Sequence, residues 1–298
     1  MTGLHALIRR NCKLFFKDKG MFITSLITPA VLLVLYTTFL AGVYRDAFTS
    51  SLPSNLTLDS KLLGGLVGGQ LVSSLLAVSC VTVAFCSNML MVQDKVTGAR
   101  RDLQLTPVKP ATMALGYYCA TLCSTLLVCL VAAGLGLLYL GKVGWYLTAG
   151  DVALLLGDIV LLVFFGTALS SIINLFLSTQ GQISAVGTIV SSGYGFICGA
   201  YMPISSFSTG LQRVLLFLPG TYGTALLRCH TMRGAFAALE AQGLPEGVVQ
   251  QIADSVDCKL YFFDHAVGQG AMYLVLGGSI VVLLGIYILL TRLRKQRG

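Results

Sequence analysis

The chain has 298 residues, of which 55% are hydrophobic and only 11% are charged, and its mean hydropathy is +0.82. A soluble domain carries about 25% charged residues, so this composition excludes an ordinary globular protein and indicates an all-α polytopic membrane protein. The net charge of +8 does not indicate a nucleic-acid partner, because most of the 20 lysines and arginines flank apolar segments, where basic residues set membrane topology.

Residues 1–20 are predicted to form an amphipathic interface helix that lies on the lipid bilayer. One face carries apolar residues at helical spacing: Leu4, Leu7, Ile8, Cys12 and Phe15. The other face carries basic residues: Arg9, Arg10, Lys13 and Lys17. Two separate faces are typical of a surface-lying helix, and an ordinary positive-inside leader is the alternative. No small-residue cleavage site follows the first apolar run, which predicts a retained span.

Six membrane spans are predicted from apolar runs near or above the ~20 residues that cross the hydrocarbon. They cover residues 21–43, 62–92, 112–140, 152–178, 183–201 and 268–291. The first five spans thus lie within residues 21–201, and the last span with its basic tail lies within residues 268–298. Because basic residues concentrate before the first span, in the loop 92–111 and in the tail, both termini are expected in the cytoplasm. The whole chain, 1–298, is expected to be a single transmembrane domain.

The loop 92–111 is a charged segment between two apolar runs and must lie in water. Its charged residues are Asp94, Lys95, Arg100, Arg101, Asp102 and Lys109. We expect a short helix that turns at Gly98 and stops before Pro107. Arg100, Arg101 and Asp102 are the residues expected to grip a cytoplasmic partner. A plain solvated loop explains the charge equally well, but not the spacing from Gly98 to Thr106 and Pro107.

Residues 202–267 break the pattern of long apolar spans. Their first part contains two apolar pieces, each too short to cross a membrane and punctuated by proline and glycine, which predicts a re-entrant helical hairpin. Residues 234–264 are polar and acidic, and predict a small external subdomain. Cys229 and Cys258 flank this subdomain, and either a disulfide or two free thiols fit the sequence.

Chemistry-bearing residues form no catalytic constellation in the sequence. There is no GxxxxGK[ST] phosphate loop, and the nine cysteines are scattered without a CxxC pair, so no metal site is expected. His5, His230 and His265 are expected at the surface. Asp158 is the one acid well inside a predicted span. One interpretation of Asp158 is a proton or substrate site. We expect the other, in which its side chain reaches headgroup water.

Glycines and polar residues recur on the second and fifth predicted spans. Gly64, Gly65, Gly68 and Gly69, and then Gly195 and Gly199, form GxxxG pairs that allow close helix packing within one subunit or between two. Polar residues on the same spans predict a shared substrate path: Gln70, Ser73, Ser74, Thr188, Ser191, Ser192 and Tyr194. Hydroxyl groups that bond their own helix backbone are the commoner alternative.

Three stretches together resemble the membrane subunit of type II ATP-binding cassette exporters, the ABC-2-type transporter permease family, over nearly the whole chain. The basic leader and a first span containing Pro29 are similar to that family's interface helix and first span. The loop with Asp94, Gly98, Thr106 and Pro107 is similar to its coupling element. The third stretch is similar to its re-entrant segment and carries these matches: Gly199, Pro203, Pro219, Tyr222 and Arg228. The chain departs from the family at Arg101, where glutamate is common, and at 206–208, where a second proline is missing.

The resemblance implies a permease subunit that moves an amphipathic substrate, such as a drug, a lipid-linked molecule or a peptide, out of the cytoplasm by alternating access. ATP and Mg would bind two copies of a separate ABC ATPase subunit, so this chain would be no enzyme and need no cofactor. A second permease, identical or paralogous, would complete the complex in the cell membrane, most plausibly of a bacterium. A stand-alone channel or ion-coupled secondary transporter is the alternative, which the single buried acid and lack of internal repeats disfavour.

The resemblance also assigns roles to individual residues. The ATPase-coupling residues would be Asp94, Lys95, Thr97, Gly98, Arg100, Arg101, Asp102, Leu103, Thr106 and Pro107. The outer gate would comprise Pro203, Leu218, Pro219 and Tyr222.

Overall fold

The computed structural model describes residues 2–50, 59–263 and 265–295. These residues form twelve α-helices and one two-stranded antiparallel hairpin. The elements are α1 (Thr2–Lys17), α2 (Lys19–Leu35), a π-helical turn (Tyr36–Leu40), α3 (Ala41–Ser50), α4 (Ser60–Val96), α5 (Ala99–Gln104), α6 (Pro110–Val143), α7 (Ala149–Phe176), α8 (Gln180–Ile197), a 3₁₀ turn (Ile204–Ser206), α9 (Thr209–Leu215), α10 (Pro219–Ala241), α11 (Glu246–Ser255), β1 (Leu260–Phe262), β2 (His265–Val267) and α12 (Gln269–Lys295).

Five helical segments in the described part of the chain are long and apolar enough to cross a membrane, which confirms the all-α polytopic fold class. They are Lys19–Asp46, Ser60–Val96, Pro110–Val143, Ala149–Phe176 and Gln269–Leu293. The predicted span 183–201 corresponds to α8, which is helical but is not one of the five. Glutamine, serine and threonine lower its hydropathy, and its 18 residues reach ~27 Å, slightly less than the hydrocarbon thickness of ~30 Å.

The long helix α4 is the centre of the bundle, and contacts α2, α6, α7, α8 and α10. It is buried almost without interruption from Leu62 to Val92. Its glycines let these neighbours approach closely. A Cβ atom at Gly64 would lie 2.6 Å from the Val143 carbonyl oxygen, and one at Gly69 would lie 2.8 Å from Met232. The small-residue faces of α4 are therefore used for packing within this chain.

The predicted interface helix is helical as expected, but α1 packs on protein as well as facing outward. Leu7, Asn11 and Phe15 are buried at a spacing of one helical turn, and α1 contacts α6. The next helix begins at an Asp18 cap, whose side chain accepts a hydrogen bond from the Met21 amide at 3.1 Å. It continues through the buried Pro29, so this proline does not end it.

The predicted re-entrant hairpin consists of α9 and α10. The first helix is short, as expected, but α10 runs to Ala241 and contacts α4, α7 and α12. The polar subdomain therefore begins only after Ala241, and the predicted boundary at residue 234 is wrong. It contains α11 and the hairpin, in which Leu260 pairs with Val267. A close contact at Gly220, where a Cβ atom would lie 2.5 Å from the Tyr194 hydroxyl, places the start of α10 beside α8.

Candidate functional site

The last turn of α4 holds Asp94, which is buried and bonded to two other helices. The Arg10 guanidinium of α1 donates two hydrogen bonds to its carboxylate, at 2.7 and 3.0 Å. The Tyr117 hydroxyl of α6 donates a third at 2.5 Å. Paired hydrogen bonds between arginine and a carboxylate are strong and geometrically specific. Arg10 and Asp94 therefore join the interface helix to α4, instead of facing lipid and an ATPase subunit as expected.

The neighbouring Lys95 points to a different helix. Its ammonium group donates to the carbonyl oxygens of Asn174, Leu175 and Leu177 at 2.8, 2.9 and 2.8 Å. These carbonyls lie at the end of α7, where the helix has no backbone donors of its own and carries a partial negative charge. Lys95 thus caps α7, and the structure assigns it an internal role in place of the predicted partner contact.

The short helix α5 follows a turn at Gly98, as predicted, where φ is +84°, a backbone conformation that glycine adopts freely. Leu105 directly follows α5 and is 87% exposed. Arg100 and Leu103 are only half-buried, and the outward residues of this end form what we call the coupling surface: Thr97, Arg101, Asp102, Gln104, Leu105, Thr106 and Pro107. Sequence reasoning missed Leu105, although an apolar residue between a charged helix and Thr-Pro is the signal that would identify it.

A cavity of about 550 Å³ lies between α2, α4 and α8, and we call it the transport groove. Its lining mixes hydroxyl groups with large apolar side chains. The hydroxyl-bearing and large apolar residues of the lining include Thr24, Thr82, Thr188, Ser191, Ile27, Phe85 and Met89. Thr188 and Ser191 of the predicted substrate path therefore lie in one cavity. Their hydroxyls bond the backbone of α8 at 2.9 and 2.7 Å, so they present polar but locally satisfied surfaces.

The remaining path residues are not brought together with these two. Gln70, Ser73 and Ser74 are buried in α4, outside the lining of the transport groove. Ser192 is exposed and bonds the Thr188 carbonyl at 2.6 Å. Tyr194 lies against the start of α10. A continuous polar path through α4 and α8 is thus absent among the described residues.

Arg228 of α10 has no exposed surface and joins four segments. We call Arg228 together with its counter-ion Asp257 the Arg228 anchor. Its guanidinium donates to the carbonyls of Val256 at 2.7 Å and Gly199 at 2.8 Å, and to the Ser74 hydroxyl at 3.4 Å. It also lies 3.4 Å from the Asp257 carboxylate. That carboxylate accepts the backbone amides of Ile204 and Ser205. The anchor ties α4, α10, the chain after α8 and the polar subdomain together.

A second buried cluster joins α7, α10 and α12. The His230 imidazole contacts the Asp158 carboxylate at 2.5 Å, and the Tyr273 hydroxyl donates to the other Asp158 oxygen at 2.7 Å. Both charged partners are 1% exposed. The expectations that Asp158 reaches headgroup water and that His230 lies at the surface are therefore wrong. Burial is the largest influence and opposes charge on His230, but the hydrogen bond to Asp158 and the attraction of its carboxylate together outweigh burial and raise the pKa of His230.

Three of the four predicted gate residues, Leu218, Pro219 and Tyr222, lie at the turn from α9 into α10, and the fourth, Pro203, lies before α9. Tyr222 is buried, and its hydroxyl donates to the Leu216 carbonyl at 2.7 Å. Pro219 is the first residue of α10, where a missing amide proton is tolerated, and Leu218 is exposed beside it. Pro203 precedes the 3₁₀ turn. The geometry thus gives them a role in the hairpin, and gating by them stays a prediction.

Cys229 and Cys258 are brought together, as free thiols. The Cys229 thiol donates to the Cys258 carbonyl oxygen at 2.7 Å. The structure shows the two thiols unbridged, and a disulfide between them stays a prediction. Across the described residues, no group of three or more histidine, cysteine or acidic side chains is placed to hold a metal ion.

Comparison with known protein families decides the class of the chain. The family model described as ABC-2 type transporter matches residues 2–229, well over half of the sequence. The chain belongs to the ABC-2 type transporter family. A comparison with curated proteins finds no significant match.

As a member of the ABC-2 family, the chain is a membrane permease of an ABC transporter. It pairs with an ABC ATPase subunit and is not itself the catalytic subunit. The matched range contains the coupling surface, the transport groove and Arg228. It ends at Cys229, so the polar subdomain and α12 lie beyond it.

Proposed function

We propose that this ABC-2 permease exports an amphipathic molecule, such as a drug, a lipid-linked molecule or a peptide, by alternating access. The observation that carries the proposal is the transport groove, a cavity of about 550 Å³ lined by both threonine hydroxyls and large apolar side chains. Such a volume suits a drug-sized ligand, and a mixed lining suits a molecule with one polar and one apolar part. The groove also opens beside α2, whose exposed Ile27 and Val31 give it an apolar margin.

ATP hydrolysis in two copies of a separate ATPase subunit would drive this cycle through the coupling surface. Leu105 projects from that surface with 87% exposure, and burying an apolar side chain this exposed in a partner's pocket would favour binding. Motion of α5 is passed to α4, whose last turn is bonded to α1, α6 and α7. Both Thr82 and Phe85 of the groove lie on that same helix.

A second permease, identical or paralogous, would cover α8 and complete the exporter. In α8 only Ile183 and Gly195 are buried, while Ile189 is 68% exposed. A helix of moderate polarity with so little burial is better matched to protein than to lipid on all sides. The basic residues at the α1 and α5 end support cytoplasmic termini, in what we propose is a bacterial cell membrane.

Photo-crosslinking tests the coupling surface. A benzoylphenylalanine residue is placed at Leu105, and a matched one at Trp145, which is 49% exposed in the connection between α6 and α7. We expect the Leu105 position to capture an ATP-binding cassette protein, identified by mass spectrometry, and the Trp145 position to capture none. Capture of that protein equally from both positions, or from neither, would contradict the proposed contact.

The groove is tested by filling it. Thr188→Trp would occupy the cavity, whereas Leu138→Trp adds the same ring at an exposed position of α6, outside the cavity. With the ATPase subunit co-purified, we measure stimulation of ATP hydrolysis by rhodamine 6G, a short amphipathic peptide and a polyprenyl phosphate. At least one of these probes should stimulate the wild-type complex and the Leu138→Trp complex, but not the Thr188→Trp complex. Equal stimulation of all three complexes would refute the groove as the substrate site.

A further inference from the structure

A second large cavity, of about 640 Å³, lies at the end of the bundle opposite the coupling surface. It is formed by α10, α11, the β-hairpin and the start of α12. This end is fixed by Gly234, which packs against the Tyr146 carbonyl in the connection between α6 and α7. The rim carries charges of both signs, on Arg233, Glu240, Glu246 and Lys259. Cys229 and Cys258 also line this cavity.

The two thiols differ in how far they are accessible from the cavity. Cys229 is half-buried and reachable from the cavity, whereas Cys258 is only 7% exposed. Cys229 and Cys258 are in direct contact, since the Cys229 thiol donates to the Cys258 carbonyl oxygen at 2.7 Å. A reachable sulfur with a second thiol directly beside it is the arrangement in which one thiol attacks and the other resolves.

Electrostatics favours Cys229 as the attacking group. The hydrogen bond from Cys258 is the largest influence and lowers the pKa of Cys229. Burial opposes this, and His230, the Gln269 amide and Arg228 add to the lowering. Burial raises the pKa of Cys258. Because the thiolate is the nucleophile in thiol chemistry, the two cysteines have different roles.

We propose that Cys229 and Cys258 form a thiol–disulfide exchange site that accepts low-molecular-weight disulfides through this cavity. The Cys229 thiolate attacks one sulfur of the disulfide RSSR, which forms a mixed disulfide and releases RS⁻. Cys258 then passes its proton to the released RS⁻ and attacks the Cys229 sulfur, which releases the second RS⁻ and forms the Cys229–Cys258 bond. The second RS⁻ takes from water the proton that Cys229 gave up when its thiolate formed. The RSSR molecule is reduced to two thiols, and the two cysteines are oxidised.

The exchange has a structural consequence at the Arg228 anchor. Cys229 follows Arg228 directly, and Cys258 follows Asp257. A Cys229–Cys258 bond would therefore add a covalent link between the same two segments that the anchor joins by hydrogen bonds. Oxidation would fasten the polar subdomain to α10, and reduction would release that link.

Oxidised glutathione is the probe, applied to the purified full-length chain and followed by mass spectrometry. We expect wild type to lose two hydrogens, with no retained glutathione and with a Cys229–Cys258 cross-linked peptide on digestion. Cys258→Ser should retain one glutathione at Cys229, and Cys229→Ser should show neither product at this site. Cys12, a half-buried cysteine of α1 outside the membrane spans, is the internal control, and we expect Cys229 to react at least about tenfold faster.

The peptide map of wild type does not depend on any variant folding, and none of these measurements requires transport. Failure of the proposed export function would therefore leave the result unchanged. Modification of Cys12 as fast as Cys229, or a wild-type glutathione adduct that never resolves into the cross-linked peptide, would overturn the proposal.

Discussion

The Arg228 guanidinium lies 3.4 Å from the Asp257 carboxylate in a site where the arginine has no exposed surface. Asp257→Ala would leave a buried charge without its counter-ion, and we expect it to lower the free energy of unfolding by about 3–5 kcal/mol. Glu240→Ala, at an exposed position of α10, should change the free energy of unfolding by less than about 0.5 kcal/mol. Thermal unfolding in detergent measures both.

The double variant Arg228→Met with Asp257→Ala distinguishes the cost of leaving a buried charge unpaired from the cost of losing the contacts that Asp257 makes to the backbone. Removing both charges eliminates the unpaired buried cation, so the double variant should be more stable than Asp257→Ala alone. A double variant that is less stable than the single one would show that the cost at Asp257 arises from its backbone contacts instead.

The bond between Arg10 and Asp94 is expected to hold α1 against the bundle. Arg10→Gln removes the charged donor of two hydrogen bonds, at 2.7 and 3.0 Å, and should destabilise the protein by about 1.5–3 kcal/mol. Arg9→Gln, at the exposed neighbouring position, should have little effect. Limited proteolysis within residues 2–17 and thermal unfolding report the two variants. Equal protease sensitivity in both would exclude an anchoring role for Arg10.

The His230–Asp158 pair predicts a fall in stability as pH rises. Since folding raises the pKa of His230, the contribution of the pair is complete below the unfolded value of ~6.5 and is lost as pH rises through the folded value. The groups that face this histidine are Asp158, Tyr273, Arg233 and Cys229. Because the Cys229 thiol also titrates, the measurement is made in a Cys229→Ser background.

Unfolding temperatures between pH ~6 and ~9 should therefore decline in that background. The decline should be much smaller after a further His230→Gln substitution, which keeps a hydrogen-bond donor but removes the titrating group. A slope that persists unchanged in the His230→Gln protein would assign the pH dependence to other residues.

Close packing at Gly234 predicts a size limit between α10 and the connection from α6 to α7. A Cβ atom there would lie 1.8 Å from the Tyr146 carbonyl oxygen, so the backbone would have to move. Gly234→Ala should cost about 1–3 kcal/mol. Gly134→Ala, in α6, meets nothing within 4 Å and should be neutral or slightly stabilising. Similar unfolding temperatures for the two alanine variants would contradict the packing at Gly234.

The sequence predicts the helical fold because crossing a membrane requires long apolar runs that are visible locally. The predicted first span, 21–43, falls within the helical segment Lys19–Asp46, and the turn at Gly98 is also where it was expected. The fifth span is the case in which local pattern is insufficient. Because α8 has few apolar residues, its sequence predicts a membrane span only weakly. A neighbour that would cover α8 cannot be identified from the sequence of α8 itself.

The roles of individual charges were predicted less well, because their partners are distant in sequence. Asp94 and Lys95 both occur in a charged loop and were expected to contact an ATPase, but one reaches back 84 residues to Arg10 and the other forward 79 to Asn174. His230 has no local signal of its pairing with Asp158, 72 residues away. The sequence shows that these groups are charged, and only the fold shows which partners neutralise them.

Asp94 and Lys95 are adjacent in sequence, yet one binds α1 and α6 while the other binds the end of α7. One helical turn therefore distributes any displacement of α5 among four helices at once. No additional element is needed to transmit motion from the coupling surface to the bundle. No single helix can move with α5 while the others stay in place. The half of this permease that carries the coupling surface should consequently move as one body, with bending confined to segments beyond that turn.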